Sequence, residues 1–184
     1  MILRIIKYGH PTLRLKGSEI RKIDDKLRTL ASDMIQTMES ANGVGLAAQQ
    51  VGMPIQLAVV DVAGIEDRPS TMSVKGEPVN VEEYMPLVLV NPELELSGEK
   101  EMGLEGCLSF PEITGDIARA PHVTARAQTL DGDEIEFEAT GLLARALQHE
   151  VDHLHGVLFI DRMTSATKTA LASKLKRLQK ETRG

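Results

Sequence analysis

The residues best placed to do chemistry are His149, Glu150 and His153. On a helix, His149 and His153 stand one turn apart on the same face, the spacing at which two imidazoles reach one metal ion. Glu150 lies about 100° further round. That places it beside such an ion rather than on it, where a carboxylate can carry protons to and from a water. The surroundings strengthen this reading. Leu143, Leu147 and Leu154 fall within roughly 60° of Glu150 on a helical wheel, and Leu142 and Ala146 share the histidine stripe. An ionised group in so apolar a face is costly unless something offsets it. His155 rotates to the other side and is expected to end the helix before Gly156. Asp152 flanks the site, either as a partner of it or as a solvated charge.

A catalytic site of this kind needs a third protein ligand and one open position. His149-Glu150-x-x-His153-x-x-Gly156 begins the metzincin protease pattern, but the ligand position three residues past the glycine is Phe159, which offers no donor. Asp161 and Glu181 are carboxylates downstream. Upstream, Glu105-Gly106-Cys107-Leu108-Ser109 carries the only cysteine, whose thiol a metal would deprotonate. A lone cysteine in an apolar stretch is equally a small core side chain. At this point the third ligand stays open among Cys107, Asp161 and Glu181.

The elements that position these residues are partly readable. The 184 residues suit one domain, 1–184. Aromatic residues make up 3% and there is no Trp, so aliphatic side chains and the 8 Met must fill the core. A net charge of −6 argues against general nucleic-acid binding. One cysteine makes no internal disulfide, and no apolar run is long enough for a signal or a membrane span. The expected location is therefore the cytoplasm.

From about Asp24, the stripe Leu27, Leu30, Ala31, Met34, Met38 and Ala41 predicts a helix closed by Asn42-Gly43. Ile55 to Val62 reads as a buried strand. Residues 63–85, with Gly64, Pro69, Gly76 and Pro78, read as an inserted loop. Strands are expected at Leu87 to Val90 and Glu93 to Leu96. A hairpin runs from Val123 to Ala139 through Asp131-Gly132. A short strand is expected at Val157 to Ile160, and a last helix from Ser165. The expected class is α+β, with antiparallel β-sheets packed around the central helix and a C-terminal helix.

Three motifs then stand in order: Gly43-Val44-Gly45-Leu46-Ala47-Ala48-Gln49-Gln50, Glu105-Gly106-Cys107-Leu108-Ser109, and Gln148-His149-Glu150-Val151-Asp152-His153. Together they resemble the peptide deformylases, and the resemblance covers most of the chain outside 63–85. It implies removal of the formyl group from the N-terminal formyl-methionine of newly synthesised polypeptides. Cys107, His149 and His153 would hold the metal, Fe²⁺ by the family's habit, with Zn²⁺, Ni²⁺ or Co²⁺ as substitutes. Metal-activated water would attack the formyl carbon with Glu150 as general acid/base. The Gln50 amide and the Leu108 N–H would stabilise the oxyanion. Gly43, Val44 and Gly45 would pair with the extended peptide, and Leu142 would wall the methionine side chain. Glu105 and Arg119 would form a pair bracing the Cys107 loop.

Lys168, Lys174, Lys176, Arg177, Lys180 and Arg183 make the last helix basic, a surface for the ribosome or simply a solvated face. Two other readings compete. A peptidase would need a ligand other than Cys107. A metal-stabilised binding module would have no use for Gln50 or Glu150.

Overall fold

The structure, a computed structural model, describes residues 1–183. Helix α1 (Asp25–Ser40) starts where the Asp24 carboxylate accepts the Leu27 N–H at 3.0 Å. Its stripe of Leu27, Ala31, Met34 and Met38 is buried against strands β1 (Gly45–Ala47) and β2 (Leu57–Val60).

Among the described residues, nine strands form two antiparallel sheets. The larger has seven strands in the order β1-β2-β5-β8-β9-β3-β4, and the smaller pairs β6 with β7. Besides β1 and β2, the larger sheet holds β3 (Ser70–Val74), β4 (Glu77–Val79), β5 (Leu87–Ser97), β8 (His122–Gln128) and β9 (Glu134–Thr140). The small sheet is β6 (Glu101–Cys107) and β7 (Phe110–Arg119). Helix α2 (Gly141–Leu154) packs across the large sheet, and its Leu142, Leu143, Ala146 and Leu147 close a core with Leu89, Phe137 and Met72. Helix α3 (Ser165–Arg183) sets Leu175 into a second core around Phe110, Ile117 and Phe159. Two of the three Phe and Tyr8 meet there, with Tyr8 stacked on Phe110 and Phe159 edge-on to it. Among the described residues, no helix is long and apolar enough to cross a membrane.

Three local expectations are corrected. Residues 63–85 are not a loop without elements. They supply β3 and β4, and β3 adds to the large sheet beside β9, with Met72 opposite Ala139. Gly76, at φ 79°, and Lys75 make the tight turn between them, so glycine here punctuates a hairpin. Leu87–Ser97 is one strand, not two. It bulges at Asn91-Pro92, where the Asn91 amide pairs with the Ile20 backbone at 2.9 and 2.8 Å. Val157 to Ile160 forms no strand. The chain turns at Gly156 and enters a short 3-10 helix, Phe159–Arg162, capped at its start by Asp161 accepting the Leu158 N–H. A short apolar run fits either element by pattern alone.

Candidate metal centre and substrate cleft

Helix α2 carries both histidines, and its first turn is fastened from another part of the chain. Thr140 makes no side-chain cap. Instead the Leu142 N–H donates to the Pro69 carbonyl at 3.3 Å and the Leu143 N–H to Ser70 Oγ at 2.9 Å. At the other end His155 is the C-cap and Gly156 adopts φ 75°, as the sequence predicts. Gln148 ties the helix side-on to the chain between β7 and β8, accepting the Ala120 N–H and donating to its carbonyl.

His149 and His153 point the same way, both buried. Cys107, at the end of β6 beyond a bulge at Gly106, brings Sγ to 3.4 Å from His153 Nε2. One donor atom from each of Cys107, His149 and His153 lies within 4.8 Å of the others. His149 Nδ1 donates to Glu105 at 2.9 Å. Burial lowers the value of this imidazole, but Glu150, Cys107 and Glu105 outweigh it and raise it well above the usual one. A bound cation would take the place of the Nε2 proton. Burial, helped by the neighbouring His149 and Arg119, holds His153 well below the usual imidazole value. A neutral imidazole is the form that ligates. One thiol and two imidazoles, desolvated and aimed together, fit a transition-metal ion. The downstream carboxylates lie elsewhere. Asp161 pairs with Arg14, and Glu181 is exposed on α3.

Behind His149 stands a buried ionic network. Arg119 grips Glu105 with two bonds of 2.8 and 2.9 Å, and Arg145 adds a third at 2.9 Å. Burial pushes the Glu105 carboxyl up, but the bonds from Arg119 and His149 outweigh it and hold it well below the carboxylate range. Arg119 also donates to Asp152 at 2.6 Å, and Arg162 covers Asp152 from the surface side. The expected proximity of Glu105 and Arg119 is therefore present. Asp152 is a partner of the network rather than a solvated charge. Arg145 and Arg162 were not anticipated. Arg145 carried a signal, being a charge one turn before His149 in an otherwise apolar stripe.

On the open side lies a cleft of about 510 Å³ lined by Gly43, Val44, Gly45, Gln50, Leu142, Ala146, Cys107, Leu108 and Glu150. All six residues singled out for peptide binding and oxyanion stabilisation thus share one cavity with Glu150. Gln50 sits in a 3-10 helix (Ala48–Val51) that follows β1 directly. Its Oε1 accepts the Ala47 N–H at 2.9 Å, which orients Nε2 toward Ser109 Oγ (3.1 Å) and Cys107 Sγ (3.6 Å). Leu108 occupies the turn between Cys107 and Phe110, and its side chain lies over Gly43, where a Cβ would come within 2.7 Å. Gly45 lies against Glu150 so closely that any Cβ would collide with the carboxylate. Glu150 Oε1 is buried with no hydrogen-bond partner among the described residues. Burial pushes the carboxyl up to about 7, against the pull of His149 and with Glu105 adding to the rise. A cation on the three donors would draw that value back down.

Comparison with known proteins agrees with the geometry. The sequence profile of the family described as polypeptide deformylase matches residues 2–169. A peptide deformylase of Methylacidiphilum infernorum is 46% identical over 180 residues, 98% of this chain and 94% of that protein. One from Opitutus terrae is 46% identical over 185 residues, covering 100% and 96%. The crystal structure of the Thermotoga maritima peptide deformylase superposes with a TM-score of 0.75 at 38% identity, covering 89% of this chain and 99% of that one. The chain belongs to the peptide deformylase family, metal-dependent hydrolases that remove N-terminal formyl groups.

Proposed function

We propose that this chain deformylates the N-terminal formyl-methionine of nascent polypeptides with Cys107, His149 and His153 as metal ligands and Glu150 as general acid/base. Once bound, the metal would act as a Lewis acid and lower the pKa of water. Glu150 takes a proton from the attacking water and returns it to the departing methionine nitrogen. Gln50 Nε2 and the Leu108 N–H donate to the oxygen that gains negative charge. Strand β1 is an edge of the large sheet, paired with β2 alone among the described residues. The Gly43 N–H and the Val44 carbonyl are taken by Met38 and Asp61. The remaining backbone groups of Gly43, Val44 and Gly45 would pair with an extended peptide. Leu142 and Val44 wall the methionine side chain. Arg119 and Glu105 fix His149, and through β6 and β7 they steady Cys107.

The observation that carries this reading is the unpartnered Glu150 oxygen in the same cleft as the oriented Gln50 amide. Neither feature serves a purely structural metal. The test is turnover of a short formyl-Met peptide by Fe²⁺- or Ni²⁺-loaded protein without oxygen, beside Glu150→Ala. Activity in the parent and near-silence in a variant that keeps its metal support it. A folded, loaded and inactive parent would overturn it.

The working metal is taken to be Fe²⁺, with Zn²⁺, Ni²⁺ or Co²⁺ able to replace it, since a thiolate and two imidazoles suit all four. Metal analysis of protein purified without oxygen tests the assignment. The working place is taken to be the cytoplasm, where formylated chains emerge. Helix α3 shows Lys168, Lys174, Lys176, Arg177 and Lys180 to solvent, which suits docking on ribosomal RNA. Salt-sensitive co-sedimentation with ribosomes, lost when these residues become glutamate, is the check.

A further inference from the structure

Several charges lining the cleft are already engaged. Glu105 and Arg145 neutralise each other, and Lys7 leans on the Leu108 carbonyl at 3.4 Å. Arg68 differs. It lines the same cavity, is exposed, and has no carboxylate within ion-pair distance among the described residues. Nor is it on a free loop. Its neighbours Pro69 and Ser70 take the first N–H groups of α2, and Ser70 bridges to Gly141. The following strand is registered on β9 through Thr71 and Met72. The backbone of Arg68 is thus held beside Leu142, at the wall assigned to the methionine side chain.

We propose that Arg68 selects formylated peptides bearing a carboxylate side chain downstream of the methionine. The inference rests on the deformylase reading above and deepens it. A chain of net charge −6 repels acidic peptides at long range. A guanidinium carried on a backbone held at the cleft, and lacking a partner among the described residues, reverses that locally, and its planar fork matches a carboxylate. Glu112, which like Arg68 lies toward the outer part of the lining without an ion-pair partner among the described residues, stands on β7 beside the Cys107 turn rather than beside Leu142. The cleft therefore carries opposite charges at two places, and an extended peptide has a defined polarity along it. An exposed pair of this kind gives a preference between about 1.5-fold and fivefold, expressed mainly in KM because the contact is equal in ground and transition states.

The experiment compares kcat/KM for matched formyl-Met peptides carrying Glu or Gln at the second, third or fourth position, using metal-loaded parent, Arg68→Gln and Arg68→Glu. The expected result is a Glu preference of about threefold at one position in the parent. It shrinks in high salt, vanishes in Arg68→Gln and inverts in Arg68→Glu. Equal rates for Glu and Gln at all three positions in the parent overturn the assignment. So does a fall in Arg68→Gln that is the same for both peptides, which would mark a packing effect on the Leu142 wall. Turnover of the Gln peptides shows that the deformylase reading stands independently of that outcome. Its complete absence in loaded parent overturns both.

Discussion

Glu105 and Glu150 are the same residue type, both buried, one on each side of His149, and the fold treats them in opposite ways. Glu105 is wrapped by Arg119, Arg145 and His149, and its charge is locked in place. Glu150 has an oxygen with no partner, a glycine pressed against it, and a carboxyl raised to about 7. A carboxylate held by many donors can orient a neighbour but has little reason to accept a proton. One left short of donors beside a cleft is poised to exchange protons. Partners, not residue type, divide positioning from reactivity here.

The largest break in that contrast is Glu150→Gln, which keeps shape and removes the titrating group. It is expected to lower kcat about 10³-fold, within the usual range for a lost general base. Metal content, read by elemental analysis, should be unchanged. Arg119→Ala attacks the other glutamate and leaves Glu105 and Asp152 short of a buried cation. Removing one partner of a buried pair costs roughly 3 kcal/mol or more. The expected readouts are a lower urea midpoint and faster metal loss to a chelator, with any activity tracking the metal that remains.

Gly45→Ala sharpens the comparison from the cleft side. Its methyl must displace the Glu150 carboxylate, so kcat should fall about tenfold while chelator resistance stays as in the parent, because no ligand is touched. The smallest effect belongs to a half-exposed counterpart, Asp161 with Arg14. Burial raises the Asp161 value, but the bonds from Arg14 and the Leu158 N–H lower it further. An acid whose folded value is depressed stabilises above its unfolded value and loses that contribution as pH falls through the folded one. Arg14→Ala should therefore cost about 1 kcal/mol or less at neutral pH. The gap from the parent should close as pH drops below about 4, as denaturant titrations at both pH values would show.

What could be read from sequence divides along the same line. His149, Glu150 and His153 were legible because a helix repeats its geometry every few residues, and Asp24, Asn42-Gly43 and Asp131-Gly132 marked boundaries by local chemistry. Cys107, Gln50 and the Glu105–Arg119 pair were legible only through the ordered motifs, since nothing in their spacing says they converge. Arg162 and Ser70 gave no local sign, because their partners lie on other elements. Strands β6 and β7 were missed where Gly103, Gly106, Pro111 and Gly115 interrupt any alternation. Strands β3 and β4 were missed because Pro69, Gly76 and Pro78 resemble loop chemistry. In that second stretch the glycine makes the turn of a hairpin whose first strand belongs to the main sheet.

The fastening of α2 by Pro69 and Ser70 bears on cooperativity. A helix that supplied its own cap could form early and alone. This one has the Leu143 N–H satisfied 73 positions upstream, while Cys107 approaches it from a different sheet. The first turn of α2 is therefore fastened only when the start of β3 has docked. Local opening of the hairpin of β3 and β4 would release the start of the helix, so the two are expected to exchange amide hydrogens as one unit.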